Sequence, residues 1–350
     1  MYEVNQGIID WLLEENNPPV KYLTQTKILV LNEQNSEVQE TKSKINTYQP
    51  IQTILKNQKE NTYWFEKGKD KNYKKYLGTF WQIFFLYELN SLKNNQIENA
   101  VEHLFSTGQA PNGGFSVFGT NSGVITCLTS NILRALLFFN YWEDERTKRA
   151  LEYLLSTFVD NDGYIRCRTL SLIEGCYMTI PKILHVFGAI PVKDRTSRIQ
   201  KGIDYCIKIL LKNQIYKYVP DRNRDWMKII QERKLKGSDL EDERRKFKNK
   251  YPAMKNIAKA GWTKFGFPLN YNSDVLDAMS SLVSINLEYT EELSSALELI
   301  KTKNVEGTWI KEKQYNSPMY TQIESYKKPS KWITLQALVV LKHFEGIRII

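Results

Sequence analysis

Two carboxylates, Glu174 and Asp274, each stand just ahead of an apolar helical stretch. If both stretches begin at the same end of the molecule, the two groups face one cavity mouth. A carboxylate pair placed so is a candidate acid and base. Groups suited to holding a ligand arrive at the same register: Tyr76, Trp81 and Gln82, then Asn131, then Tyr271 and Asn272, and finally Lys331 and Trp332. Trp262 adds another aromatic within "GWTKFGFPLNYNSD" (261–274). Aromatic rings at a mouth suit an apolar ligand through dispersion and cation–π contact. The plainer alternative for Asp274, and for the Thr residues described below, is helix N-capping, worth about 1 kcal/mol each. Cys127, Cys176 and His185 have zinc-ligand chemistry, but small buried thiols in packed helices are the simpler reading, and no cofactor is expected.

These residues share a register because the chain repeats. Trp64, Phe115 and Tyr164 follow turn-like stretches 51 and 49 residues apart, in "KENTYWFE", "PNGGFSVF" and "DNDGYIRC"; "VEGTWIKE" repeats the theme at 305–312. Each is followed by an apolar stretch opened by a Thr: Thr79, Thr129 and Thr179, at intervals of 50, and again Thr334. Behind each Thr, apolar residues recur at +4 and +7 (Ile83 and Leu86, Leu133 and Leu136, Ile183 and Val186, Leu338 and Leu341), which is one face of a helix. A further copy has Asn272, with Leu276 and Met279 behind it. Ahead of each turn runs an amphipathic stretch with a charged face, such as 97–109 and 147–158.

The unit is therefore outer helix, Gly-aromatic turn, inner helix, with the more apolar inner helix facing away from water. Five copies and a degenerate N-terminal pair predict one all-α domain, an (α/α)6 toroid with repeats near 1–50, 51–96, 97–146, 147–198, 199–290 and 291–350. A charged insertion at 215–260 breaks the period.

The turn sequences "GQAPNGGF" (108–115), "DNDGYI" (160–165) and "NVEGTW" (304–309), with helices such as "LTSNILRALL", resemble the terpenoid cyclase and protein-prenyltransferase β-subunit superfamily, including squalene–hopene cyclase-like repeats. The resemblance spans about residues 50–345. It implies the toroid and an apolar, isoprenoid-type small molecule in a central cavity. It does not bring the usual catalytic motifs: the chain has neither the Asp-x-Asp-Asp of the cyclases nor the Asp-x-Cys of the zinc transferases. Glu174 and Asp274 are then the expected catalytic pair. Two alternatives stay open: a non-catalytic protein-binding scaffold, and a carbohydrate-active toroid that uses paired carboxylates.

Bulk properties narrow the partners. The net charge is +10, yet residues 221–259 alone hold 13 Lys/Arg against 7 Asp/Glu. That segment is a candidate lid, or a face for an acidic protein or anionic lipid surface. Its mixed charge and few aromatics speak against a dedicated nucleic-acid platform. No run of 18 apolar residues exists, so no transmembrane segment is expected. The first residues lack a basic n-region, and the four Cys have no CxxC spacing, which fits reduced thiols in the cytoplasm.

Overall fold

The computed structural model describes residues 1–68, 71–167, 175–218, 231–250, 259 and 261–350. Among these residues the chain is mostly helical, with fourteen α-helices and one two-stranded pair. The helices run α1 (Gln6–Leu12), α2 (Pro18–Leu23), α3 (Ser36–Ser43), α4 (Gln49–Lys56), α5 (Thr79–Glu88), α6 (Asn95–Thr107) and α7 (Thr126–Phe138). They continue with α8 (Glu145–Leu154), α9 (Ile180–Ala189), α10 (Ser197–Lys212), α11 (Gly237–Lys250), α12 (Val275–Val283), α13 (Ser294–Thr302) and α14 (Lys331–Glu345).

Burial separates two layers. The +4 and +7 residues of α5, α7, α9, α12 and α14, from Ile83 to Leu341, are all buried. By contrast α6, α8, α10 and α13 bury one stripe and leave the other wet. Each inner helix packs on the next, α5 on α7, α7 on α9, α9 on α12 and α12 on α14, and α14 packs on α2. The inner helices α9 and α12 run side by side in one direction. Lys182, near the start of α9, bonds to Ser273 just before α12, and Gly188, near its end, lies against Ser284. The chain ends also meet: β1 (Tyr2–Val4) pairs in parallel with β2 (Ile347–Ile349).

The turn and the inner helix are locked together by the repeated Thr. The Phe115 N–H donates to Thr129 Oγ1 at 2.9 Å, the Trp309 N–H to Thr334 Oγ1 at 3.0 Å, and the Trp64 N–H to Thr79 Oγ1 at 3.5 Å. This corrects the capping expectation. Thr129 and Thr334 lie a full turn inside their helices, Thr79 follows the cap Gly78, and the Thr179 side chain makes no cap bond. The Thr oxygen instead satisfies a buried backbone donor that would otherwise be costly to leave unpaired. The turn aromatic then reaches back to the outer helix. Trp64 Nε1 donates to Ile54 O at 2.6 Å and Trp309 Nε1 to Ile300 O at 2.7 Å, satisfying carbonyls in the last turns of α4 and α13. Gly113 and Gly307, two residues ahead of their aromatics, have φ of +89° and +86°, where a side chain is strained.

A second device stops the inner helices. Asn90, Asn140 and Asn286 follow α5, α7 and α12 with φ of 56°, 62° and 57°. The next N–H in each case returns to a carbonyl five residues back: Ser91 to Leu86 at 2.9 Å, Tyr141 to Leu136 at 2.9 Å and Leu287 to Leu282 at 3.1 Å. Each is a Schellman-type end, with Asn in place of the commoner Gly.

Three departures from the repeat stand out. In the third copy Ile165 is the buried residue and Tyr164 is half exposed; Ile165 lies 14 residues before Thr179, as Phe115 does before Thr129. The N-terminal pair contains an additional helix, α3, that periodicity does not announce. Within the insertion, the described side chains of α11 are largely exposed, with Leu240 buried.

Candidate functional site

The inner helices are apolar, so the exceptions on them are informative. Five ionisable side chains from four of these helices converge: Glu88 at the end of α5, Arg134 on α7, Lys182 and His185 on α9, and Asp277 in the first turn of α12. Arg134 lies 3.6 Å from Glu88, Lys182 lies 3.7 Å from Asp277, and His185 Nε2 lies 3.3 Å from Asp277 Oδ1. Lys182 is fixed further by bonds to Asn272 O and Ser273 Oγ, both 2.9 Å. The guanidinium of Arg134 also stands over the Tyr87 ring at 5.3 Å.

The pairing is incomplete. Arg134 Nε, His185 Nε2, Asp277 Oδ2 and Asn131 Oδ1 are buried without a hydrogen-bond partner; the His185–Asp277 approach is close but misaligned. Native proteins rarely leave such atoms orphaned; ordered water, an ion or a ligand completes such a network. Arg134, Glu88 and His185 keep 8%, 11% and 14% of their side-chain surface exposed.

Burial and mutual charge set the protonation states. Burial pushes the Glu88 carboxyl up to about 7, with Arg134 opposing and Asp277 reinforcing the rise. His185 is lowered to about 4 by burial and by the neighbouring Arg134 charge, so it is neutral at pH 7. Burial also lowers the Lys182 ammonium, against the pull of Asp277. For Asp277 burial alone acts upward, but Lys182, His185 and Arg134 together hold it well below the usual carboxylate range. The cluster therefore offers a carboxyl raised toward neutral pH, a neutral imidazole and a fixed anion. These are groups able to give and take a proton.

The residues expected from sequence are distributed around this centre. Tyr76, Trp81 and Tyr271 come together with Tyr73 and Tyr315 near the start of α5: Trp81 meets Tyr76 at 5.0 Å and Tyr271 at 4.9 Å between ring centres, both edge-on. Gln82 donates to Tyr76 O at 2.8 Å and supports the group from below. Asn131 donates to Asn270 O at 3.0 Å, tying α7 to the loop before α12. Asn272 has an exposed side chain and contributes its carbonyl to Lys182. Trp262 packs on Tyr177 at 4.9 Å and Trp332 stacks on Phe267 at 4.5 Å, each away from the Trp81 group. Lys331 turns to Glu14 and Asn16, both at 2.8 Å.

Asp274 caps α12: Oδ1 accepts from the Asp277 N–H at 2.9 Å, and Oδ2 accepts from the Gly266 N–H at 3.2 Å with Lys313 at 3.5 Å. Burial raises its carboxyl in spite of Lys313. Glu174 lies outside the described residues. Among the described residues no group of three or more His, Cys, Asp and Glu has metal-binding geometry. His185 faces Asp277, and burial raises the Cys127 thiol to about 12.

Compared with models of known protein families and with curated proteins, the chain matches none. Function therefore rests on the geometry. Sequence reasoning missed Arg134 and Lys182 and gave Glu88 no role. For Glu88 and Arg134 the available signal was a strongly polar residue on the side of an inner helix opposite its +4/+7 face; Lys182, three residues after Thr179, offered none.

Proposed function

We propose that the inner helices close into a six-hairpin ring, and that the protein binds at its centre a ligand with an apolar body and one polar end, on which it performs proton-transfer chemistry. Support for closure comes from the unbroken succession of inner-helix contacts from α5 to α14 and α2, and from Asn46. This residue, beyond the N-terminal pair, bonds to Leu92 beyond α5 through both its amide groups, at 2.9 and 2.8 Å. The aromatic group around Trp81 meets the apolar body, and Glu88, Arg134, Lys182, His185 and Asp277 meet the polar end. An isoprenoid-type ligand, in the manner of a prenyltransferase- or terpene-cyclase-like protein, fits that division. The observation that carries the reading is the convergence of five ionisable groups from four helices, with polar atoms left unpartnered. Structural ion pairs gain from complete pairing, whereas functional sites keep valences open.

Glu88 is the proton donor in this reading and His185 the acceptor, with Asp277 orienting the ring and Lys182 holding Asp277. Arg134 faces an electron-rich group on the ligand. The test is titration of the protein with farnesol and with farnesyl diphosphate, followed by tryptophan fluorescence, and analysis of products after incubation. Wild type is expected to bind saturably, Arg134→Met to bind at least roughly tenfold more weakly, and Glu88→Gln to bind without turnover. Equal binding by all three, or none by any, contradicts the reading.

One observation favours the scaffold alternative. Tyr76, Trp81, Tyr271 and Tyr315 pack on one another at 4.9–5.0 Å, so side chains occupy the space at the start of α5. A scaffold leaves the fluorescence unchanged with both ligands. The carbohydrate-active reading lacks such support, since both Asp274 oxygens are engaged by backbone donors.

A further inference from the structure

We propose that the face where the inner helices begin docks on an anionic bilayer surface. The described parts of the connections that lead from outer to inner helices lie at that end. Leaving the insertion helix aside, 57–68, 71–78, 108–125, 160–167, 175–179, 213–218, 259, 261–274 and 303–330 carry 14 Lys/Arg and 8 Asp/Glu. The return connections at the opposite end, 89–94, 139–144, 190–196 and 284–293, carry 3 Lys/Arg and 6 Asp/Glu. The protein is thus electrically polar along its inner helices. The positive ends of the inner-helix dipoles add to the same side.

Three of these connections form one surface. Lys75 Nζ donates to Asn316 Oδ1 at 2.7 Å, joining 71–78 to 310–330. The Phe265 N–H donates to Glu312 Oε2 at 2.8 Å, and Phe265 O accepts from the Lys313 N–H at 3.1 Å, joining the loop before α12 to the same segment. On this surface Lys67, Lys74, Lys75, Lys264, Lys327 and Lys328 are exposed. Among the described residues these six form no ion pair, whereas Lys59, Lys303 and Lys313 do. Within the insertion, Arg233 ahead of α11 and Arg245 and Lys246 on it are paired with Glu243 and Asp242.

A lipid surface fits better than an acidic protein for two reasons. Tyr326, 41% exposed, stands beside Lys327 and Lys328, and a half-buried tyrosine among lysines is the chemistry of a membrane–water interface. The second reason rests on the function proposed above: an apolar ligand resides in bilayers, and a docked mouth shortens its path. Attraction of lysines to an anionic leaflet acts within a Debye length, roughly 8 Å at physiological salt, so they need only lie against the head groups.

The full chain is to be co-sedimented with vesicles of phosphatidylcholine alone and of phosphatidylcholine mixed with phosphatidylglycerol. Binding is expected to the mixed vesicles only and to be reversed by high salt. The variant K74E/K75E/K327E/K328E is expected to bind at least ~10-fold more weakly, while K93E/K193E at the opposite end binds as wild type. Equal binding to both vesicle types, unchanged binding by the quadruple variant, or no binding at all overturns the proposal. Binding to polyglutamate with the same variant pattern but not to vesicles assigns the face to an acidic protein instead. Glu88→Gln separates this result from the cavity reading, because it leaves vesicle binding intact whether or not the cavity binds a ligand.

Discussion

The turns and the centre of this protein are built on opposite rules. At the turns the same atoms recur: an aromatic N–H on a Thr oxygen, an indole N–H on an outer-helix carbonyl, and Asn in the left-handed region after an inner helix. At the centre no two helices contribute alike; α5 gives Glu88, α7 gives Arg134, α9 gives Lys182 and His185, and α12 gives Asp277. What repeats makes the fold, and what breaks the repeat in a buried position departs from local stability in favour of chemistry. The repeated turn contacts satisfy the buried donors they meet. The centre leaves several open.

The comparison is broken most forcefully at Asp277. Asp277→Ala strands Lys182 in the interior and leaves His185 without its partner, and the loss expected is roughly 3–5 kcal/mol in urea unfolding. A loss below about 1 kcal/mol would show that the centre relaxes like a surface.

Next in size is an effect of pH. Glu88 is raised from 4.5 to about 7, so its contribution to stability is full below pH 4.5 and is lost as pH rises to 7. His185 is lowered from 6.5 to about 4, so its contribution is full above pH 6.5 and is lost as pH falls toward 4. Between pH 4.5 and 6.5 the two slopes oppose each other. Glu88→Gln should unmask the His185 slope, with stability falling on acidification; His185→Gln should unmask the Glu88 slope, with stability falling on alkalinisation. Each amounts to roughly 3 kcal/mol over its window, read from urea midpoints against pH. Identical profiles for both variants and wild type contradict the assignment.

Changes at the turns are smaller and alike. Thr129→Val and Thr334→Val should each cost about 1–2 kcal/mol by leaving a buried N–H unpaired. Thr79→Val should cost less, its bond being 3.5 Å. Equal and negligible costs at all three positions would remove the turn lock from the account.

Much of the scaffold was legible because repetition amplifies it. Fifty-residue spacing from Thr79 to Thr129 to Thr179, with buried residues at +4 and +7, gave the inner helices. The role of the Thr was not legible. N-capping and turn-locking both place a small hydroxyl near a helix start, and only the fold shows which N–H it meets. Tyr164 misled for a similar reason: Ile165 has the right offset but lacks the aromatic signal. The centre was partly visible, since His185 was singled out on its apolar helix, though for zinc-ligand chemistry. Arg134 had a positional signal that was not used, and Lys182 had none. A long side chain reaches its partner across helices, and no spacing within one helix encodes which partner it meets.

The most direct test of the central claim is the unfolding free energy of the double variant Glu88→Leu/Arg134→Met, which replaces one charged pair of the centre by apolar groups of similar size. If the pair is there for chemistry, removing both charges together leaves stability equal to wild type or higher, since apolar replacement of buried ion pairs is often neutral or stabilising. A loss as large as that of Asp277→Ala would contradict the account and make the charged centre part of what holds the helices together.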